Sequence, residues 1–216
     1  MSVPKRVIVV GISGATCSGK TTIARELHKL LAHSTAFCQD NYYFPVEYPN
    51  HVWIPELNHI NWDIVTSLNM EKMTDDIQQL IAKESSKIPQ ETLIADGKQQ
   101  VAYSKNDKFE YLSRINQSQY HVVIAEGFCI FNYKPLVELC DLKYYCTLEY
   151  EECLRRRVKR IYEPPDCPGY FNKCVWPEHL KQLAEVKDTV ENVVYFNGNS
   201  SNQIETILKN IVQMLQ

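Results

Sequence analysis

Short apolar runs and longer amphipathic stretches alternate along the chain. Short, largely apolar runs occupy residues 6–12, 35–40, 120–128, 142–150 and 193–196. Runs of this length, rich in β-branched residues, are typical of strands buried on both faces of a parallel sheet. Because predicted strands alternate with predicted helices along the chain, the sequence predicts an α/β fold in which helices cover both faces of a parallel five-stranded sheet.

Apolar residues that recur every three or four positions predict the helices. One helix follows the first strand, and another is expected to begin at Asp63. A third is predicted over residues 151–162, with Val158 and Ile161 in its buried stripe. Two more are expected after residue 176 and at the C-terminal end of the sequence.

Three stretches interrupt this alternation, and the first of them, residues 41–61, shows no regular period. Residues 41–61 are rich in aromatic residues and prolines, which indicates a functional loop rather than a linker. Residues 83–118 are polar and lysine-rich, with a hairpin predicted at 92–103 around an Asp-Gly turn. Residues 163–177 are proline-rich and follow a cluster of arginines, so we expect them to form part of a lid.

Composition narrows the classes of function. The 216 residues are 44% hydrophobic, which suits a single domain over residues 1–216. A net charge of −3 argues against nucleic acid or a membrane surface as the main partner. The first apolar run is too short for a signal peptide, and none of the eight cysteines forms a C-x-x-C pair. We therefore expect a monomer with free thiols in a reducing cytosol or nucleus.

A glycine-rich segment follows the first strand. Residues 11–22 read GISGATCSGKTT, and residues 14–21 match the pattern G-x-x-x-x-G-K-[ST]. In this pattern backbone N–H groups and a helix N-terminus bind phosphates, the lysine reaches the β- and γ-phosphates, and the hydroxyl binds Mg²⁺. The sequence thus predicts a nucleoside-triphosphate site formed by Gly14, Ala15, Thr16, Cys17, Ser18, Gly19, Lys20, Thr21 and Thr22.

Acidic residues at two strand ends favour phosphoryl transfer. Asp40 ends the second predicted strand, where a carboxylate can accept the proton of an attacking hydroxyl. Glu126 ends the third, where it can hold Mg²⁺. Each acid could instead cap a turn or a loop.

A GTPase switch is the principal alternative among enzymes that use this loop. It requires a D-x-x-G after a strand and then an N-K-x-D. The chain has Asp166-Cys167-Pro168-Gly169 only in the proline-rich segment, and Ser104-Lys105-Asn106-Asp107 precedes it and lacks the first asparagine. The order and positions exclude a switch and leave a small-molecule kinase using ATP.

A run of arginines and an aromatic–acid pair complete the predicted site. Within RRRVKR, Arg156 and Arg160 are spaced to share a helical face and can stabilise charge on the γ-phosphate, while Arg157 can meet the second substrate. Trp62-Asp63 suits a ribonucleoside, since the ring can stack on the base and the acid can bind a vicinal diol. The open alternatives are an N-cap for Asp63 and a core anchor for Trp62.

These segments together resemble the nicotinamide riboside kinase family. The resemblance is carried by GISGATCSGKTT, QDNYYF, NWD, LNMEKM, AEGFCIFNYKPL, YEECLRRRVKRIYEPPD with PGYF, and VWP, from about residue 6 to residue 196. It implies a P-loop nucleoside kinase fold with a lid at about residues 153–176. The implied reaction moves the γ-phosphate of ATP to the 5′-hydroxyl of nicotinamide riboside, and of nicotinic acid riboside, for NAD synthesis.

The resemblance also implies roles for individual residues. Asp40 becomes the general base and lies beside Mg²⁺, and Trp62 stacks on the pyridine ring. Asp63 and Arg157 bind the ribose, and Arg156 and Arg160 face the phosphates of ATP. Other implied contacts are Asn41, Tyr42, Tyr43, Tyr162 and Glu163 for the acceptor and Ser200, Ser201 and Asn202 beside the adenine.

The chain departs from the family pattern at three places. Asn41 stands where members often carry a second acid, Trp62 stands where a tyrosine is expected, and residues 46–61 form a longer, more aromatic loop. The remaining alternatives are a uridine/cytidine kinase and a catalytically idle nucleotide-binding regulator. Intact Lys20 and Asp40 argue against the regulator, because a protein that only binds nucleotide needs no general base.

Overall fold

The computed structural model describes residues 7–86 and 107–215. In chain order, its strands and helices are β1 (Val7–Gly14), α1 (Lys20–Leu30), β2 (Ser34–Cys38), β3 (Trp53–Ile54), β4 (His59–Ile60), α2 (Met70–Ser85), α3 (Asp107–Gln117), β5 (His121–Glu126), α4 (Lys134–Leu139), β6 (Leu142–Thr147), α5 (Tyr150–Arg157), α6 (Trp176–Thr189), β7 (Val193–Asn197) and α7 (Gln203–Met214). Short 3-10 helices cover Gln39–Tyr42, Pro55–Leu57, Val65–Ser67 and Ile130–Asn132, and a π-helix covers Phe171–Val175.

The central sheet has five parallel strands in the order β2-β5-β1-β6-β7. Alternate residues of β1 point to opposite faces: Ile8 joins the core formed with α1, α3 and α7, and Val9 joins the core formed with α2, α4 and α6. The predicted α/β fold with helices on both faces is confirmed. Since the strands are parallel, their carboxyl ends lie at one edge, where such sheets bind ligands.

The helix predicted to begin at Asp63 begins instead at Met70. Asn69 is its N-cap, and the Asn69 Oδ1 accepts the N–H of Lys72 at 3.0 Å. A 3-10 turn separates Asp63 from this helix. The prediction was wrong because Asn69 supplies the N-terminal hydrogen bond, and the N-cap alternative for Asp63 is overturned with it.

The arginine-bearing helix is shorter than predicted. It ends at Arg157, so Arg160 lies beyond it in a turn and does not share a helical face with Arg156. Val158 is 71% exposed and Ile161 is fully exposed, which contradicts the predicted buried stripe. The chain turns into the segment Glu163-Pro164-Pro165, where prolines lack N–H donors and disfavour helix in the residue before them.

Two helices have no counterpart in the predictions. These are α3, within the polar and lysine-rich stretch, and the short α4 after the acid-ended strand β5. Ile115 of α3 packs into the core beside α7. The hairpin predicted at residues 92–103 lies outside the described residues. Across residues 7–86 and 107–215, no helix combines the length and the apolar character needed to cross a membrane.

Candidate active site

The loop between β1 and α1 forms the centre of the site. Gly14 has a φ of +131°, and a Cβ at this position would overlap the backbone of Cys146 on the neighbouring strand. Cys17 and Gly19 also have positive φ values, of 59° and 99°. Alternation of this kind turns successive N–H groups toward one centre and makes an anion nest. A non-glycine residue adopts a positive φ at an energetic cost, so Cys17 stores strain of a kind that is common at functional sites.

Lys20 and Thr21 follow at the start of α1. Lys20 is 8% exposed, and its Nζ donates a hydrogen bond to the backbone oxygen of Ala15 at 2.6 Å. The ammonium group therefore folds back over the loop that it follows. The positive end of the helix, the nest and the buried ammonium group all favour the binding of a phosphate group here.

A cavity of about 650 Å³ extends from this loop to the segment after α5. It brings together residues that the sequence predicts for nucleotide, metal and acceptor. Those that line it are Thr16, Cys17, Gly19, Lys20, Thr21, Thr22, Asp40, Tyr43, Trp62, Asp63, Glu126, Arg157, Arg160, Tyr162 and Glu163.

The other predicted site residues lie outside this cavity. The Tyr42 hydroxyl donates a hydrogen bond to Asp76 of α2 at 3.0 Å, and Asn41 is exposed to solvent. The remaining ones are Gly14, Ala15 and Ser18 at the base of the loop, Arg156, and Ser200, Ser201 and Asn202 after β7.

Arg156 joins the phosphate-binding loop to the segment after β7. Its Nη1 donates to the Cys17 backbone oxygen at 3.1 Å, and its Nη2 donates to the Asn199 Oδ1 at 2.6 Å. Gly198 permits this approach, since a Cβ there would lie 2.7 Å from the Ser18 backbone oxygen. Arg156 thus fixes the two segments against each other.

Both predicted acids lie at the carboxyl edge of the sheet, but only Glu126 ends a strand, because β2 stops at Cys38 and Asp40 lies in the 3-10 turn that follows it. Cys38 and Glu126 are partners in the register of β2 and β5, and Asp40 follows in the next turn. Buried Gln39 fixes this turn, because its Oε1 accepts the Cys129 N–H at 3.2 Å. Burial, with the negative charge of Glu126, raises the pKa of Cys38 to about 12, so the thiol stays neutral.

Glu126 has a carboxylate oxygen that suits a cation. The residue is 3% exposed, and its Oε1 has no hydrogen-bond partner among the described residues. An ionised oxygen in this position is costly unless it is neutralised. Carboxylates of Glu126 and Asp40 and the hydroxyl of Thr21 are hard oxygen ligands of the kind that Mg²⁺ takes, and all three residues line the cavity.

Trp62 and Asp63 form the opposite wall. The Trp62 ring meets Tyr43 and His51 edge-on, with centroid separations of 5.7 Å and 4.6 Å. Burial raises the pKa of Asp63, while the charge of Arg157 and a hydrogen bond from Tyr170 oppose the rise. Trp62 is both a cavity residue and part of an aromatic cluster, so its two predicted roles are compatible.

Arg157 is the buried cation of this wall. Its side chain is 7% exposed and forms an ion pair with Asp166, with 2.7 Å between Arg157 Nε and Asp166 Oδ2. Its Nη1 donates to the Thr16 Oγ1 at 3.2 Å and lies 3.8 Å from Asp63 Oδ1. Burial opposes the charge, but Asp166 and Asp63 outweigh it and raise the pKa of Arg157. The guanidinium therefore stays charged.

Sequence reasoning missed several residues of the cavity wall. Asp166 and Tyr170 are the most informative, because both contact predicted site residues. Asp166 lies in a switch-like motif and in the EPPD segment of the family resemblance, and neither gave it a role at the site. The others are Phe44, Pro45, Val46, Gly127, Phe128, Ile161 and Pro164.

The phosphate-binding loop, the two acids at the sheet edge and the parallel sheet define a P-loop kinase. A sugar kinase from Janibacter sp. matches the fold with a TM-score of 0.51 and 11% identity, over 98% of this chain and 95% of that one. Human nicotinamide riboside kinase 1 is 34% identical over 198 residues, which are 92% of this chain and 87% of the relative.

A uridine kinase from Clostridium tetani is 26% identical over 98% of both chains. No family model matches the sequence. The identity and coverage of the match to human nicotinamide riboside kinase 1 show the family. The chain belongs to the nicotinamide riboside kinases, and it is an ATP-dependent nucleoside kinase.

Proposed function

We propose that this chain is a ribosylnicotinamide kinase that moves the γ-phosphate of ATP to the 5′-hydroxyl of nicotinamide riboside, and of nicotinic acid riboside. The product is the mononucleotide, which serves NAD biosynthesis. The observation that carries the proposal is the continuous cavity, in which the phosphate-binding loop faces Trp62, Asp63 and Arg157. The family relation supports the choice of acceptor.

The nucleotide occupies the loop end of this cavity. Backbone groups of residues 14–21 bind the triphosphate, and Lys20 stabilises charge on the β- and γ-phosphates. Arg160 reaches the cavity from the turn after α5 and adds a second cation. Arg156 acts indirectly, because its hydrogen bonds to the Cys17 backbone oxygen and to Asn199 hold the loop against the segment after β7. Ser200, Ser201 and Asn202 of that segment border the adenine.

The acceptor occupies the aromatic end. Trp62 and Tyr43 enclose the pyridine ring, Asp63 and Arg157 bind the ribose hydroxyls, and Tyr162 and Glu163 close the opening. The proximity of these side chains to the loop supports in-line attack, because reactants held in one cavity lose little entropy at the reactive step.

Asp40 is the general base. It accepts the proton of the 5′-hydroxyl as that oxygen forms its bond to the γ-phosphorus and the bond from this phosphorus to the bridging oxygen of ADP breaks. Lys20 and Arg160 stabilise the negative charge on the transferring group. Thr21, Asp40 and Glu126 would hold Mg²⁺, which would neutralise negative charge on the phosphates.

The proposal includes the domain organisation of the protein and the compartment in which it works. The chain works as one domain, with an acceptor-binding loop at about residues 41–62 and an arginine-bearing lid at about residues 153–176. It acts as a monomer in the cytoplasm, where its eight free cysteines suit reducing conditions.

An acceptor panel tests the proposal. The specificity constant, kcat/KM, is measured with Mg-ATP for nicotinamide riboside, nicotinic acid riboside, uridine and cytidine. Preference for the pyridine ribosides is expected. Preference for uridine or cytidine would transfer the same chemistry to a pyrimidine acceptor, and binding of ATP without turnover of any acceptor would favour the idle regulator.

Replacing Asp63 with asparagine is expected to raise the KM for nicotinamide riboside by roughly 10- to 100-fold, since the charge that strengthens the hydrogen bonds to the ribose hydroxyls is lost. The KM for ATP should stay the same. Steady-state kinetics with each substrate varied in turn measures both constants.

Asn69→Ala is the matched control for the capping alternative. It removes the N-cap of α2 and should lower the melting temperature by about 2–4 °C with both KM values unchanged. If Asp63→Asn behaves like Asn69→Ala, the ribose-binding role of Asp63 is wrong.

A further inference from the structure

Arg157 makes different contacts at its two edges. The edge formed by Nε and Nη2 donates to Asp166, at 2.7 Å to Oδ2 and 3.0 Å to Oδ1. The other edge, at Nη1, faces Thr16 and Asp63. Two parallel hydrogen bonds of this kind fix the plane of a guanidinium more firmly than a single contact does.

Asp63 lies within Coulombic range of Arg157 but does not form a hydrogen bond with it. The closest approach between Arg157 and Asp63, from Nη1 to Oδ1, is 3.8 Å. Opposite charges at this separation attract strongly in a partly dehydrated site. Without the two hydrogen bonds to Asp166, a flexible Arg157 would move onto Asp63. The guanidinium and the carboxylate would then fill each other's remaining hydrogen-bonding positions.

The segment that carries Asp166 also supports the other half of the wall. Tyr170 is 1% exposed, and its hydroxyl accepts the backbone N–H of Trp62 at 2.8 Å. The same hydroxyl also acts to lower the pKa of Asp63. The segment from Asp166 to Tyr170 therefore holds Arg157 with one end and the Trp62-Asp63 pair with the other.

We propose that Asp166 is a positioning residue of the acceptor site. Its two hydrogen bonds hold Arg157 away from Asp63, so that the Nη1 hydrogen not donated to Thr16 and the Asp63 carboxylate both remain available to the vicinal diol of a ribonucleoside. The inference rests on the proposed function, in which Asp63 and Arg157 bind the ribose.

Asp166→Ala is the principal variant. The KM for nicotinamide riboside is expected to rise about 10- to 100-fold with the KM for ATP unchanged, because a residue that orients a ligand-binding group commonly has an effect of this size. The loss should be much smaller for the 2′-deoxy analogue, which lacks the diol. Since the Asp166 side chain is 28% exposed, added formate should partly restore the affinity for the riboside.

Two further variants separate positioning from folding. Asp166→Asn keeps the shape and loses the charge, so it should show the same pattern in a weaker form. Asp188→Ala removes an exposed acid of α6 and should leave all constants unchanged. An equal rise in the KM of both substrates, an equal loss for the 2′-deoxy analogue, or unchanged kinetics would overturn the role of Asp166.

The proposed function and the role of Asp166 can be tested separately. The acceptor preferred by the unsubstituted enzyme tests the proposed function, and the ratio of variant to unsubstituted enzyme on that acceptor tests Asp166. If uridine is preferred, the comparison uses uridine and 2′-deoxyuridine, because both the pyridine ribosides and uridine carry the same diol.

Discussion

Replacing Asp40 with alanine is expected to lower kcat by roughly 10²- to 10⁴-fold, the range that a positioned general base contributes. Asp40 lines the cavity beside Glu126 and follows β2 in a turn that buried Gln39 fixes. The proton of the 5′-hydroxyl loses its acceptor, while the loop that binds the triphosphate stays intact. Single-turnover phosphorylation measures the chemical step directly.

Asp75→Ala is the control for this prediction. Asp75 is an exposed acid of α2, and its replacement should leave turnover unchanged. Equilibrium binding of a nucleotide analogue should be similar for Asp40→Ala and the unsubstituted enzyme. Unchanged kcat in Asp40→Ala would remove the assignment of the base.

Replacing Lys20 with methionine is expected to lower kcat by roughly 10²- to 10³-fold, as the loss of one preorganised electrostatic contact in an enclosed site does. Methionine preserves most of the length and apolar character of the stem but cannot stabilise charge on the γ-phosphate. Kinetics with ATP varied at saturating riboside measures the effect on kcat and on the KM for ATP.

Lys29→Met, in the last turn of the same helix, provides the comparison. That lysine is exposed and should have no effect. Lys20 also donates a hydrogen bond to Ala15, so melting temperatures are recorded for both variants. A loss of turnover that only follows a loss of folded protein would contradict the electrostatic role.

The sheet and the phosphate-binding loop could be predicted from the sequence because each depends on local information. Residues 7–12 of β1 carry no polar side chain, and the glycine-rich continuation has a spacing set by the geometry of a phosphate. Both features are encoded in consecutive residues. The five predicted strands are all present.

Element ends depended on contacts that are distant in sequence. The predicted helix over 151–162 continued the apolar period past Arg157, but this side chain is buried against Thr16 and pairs with Asp166. Periodicity carries no information about such pairing. Likewise, Asp63 and Asn69 are both good capping residues, and only tertiary contacts to Arg157 and Tyr170 assign Asp63 to the cavity.

The candidate site was predictable where a residue type matches a chemical task, as for Lys20 and Asp40. Residues that act through others left weaker signals. Tyr170 looks like a core aromatic and is one, since it is buried in a hydrophobic cluster. Its contact with Trp62 comes from the folding of the proline-rich segment onto the loop before α2. No spacing rule relates residues this far apart.

Identification of the phosphorylated product tests the assigned reaction most directly. The enzyme is incubated with Mg-ATP carrying a labelled γ-phosphate and nicotinamide riboside, and the products are separated and identified by mass spectrometry. We expect labelled nicotinamide mononucleotide, formed in equal amount with ADP, and no labelled nucleoside from the 5′-deoxy riboside. Release of labelled inorganic phosphate without a labelled nucleotide, or label on the 5′-deoxy riboside, would contradict the account.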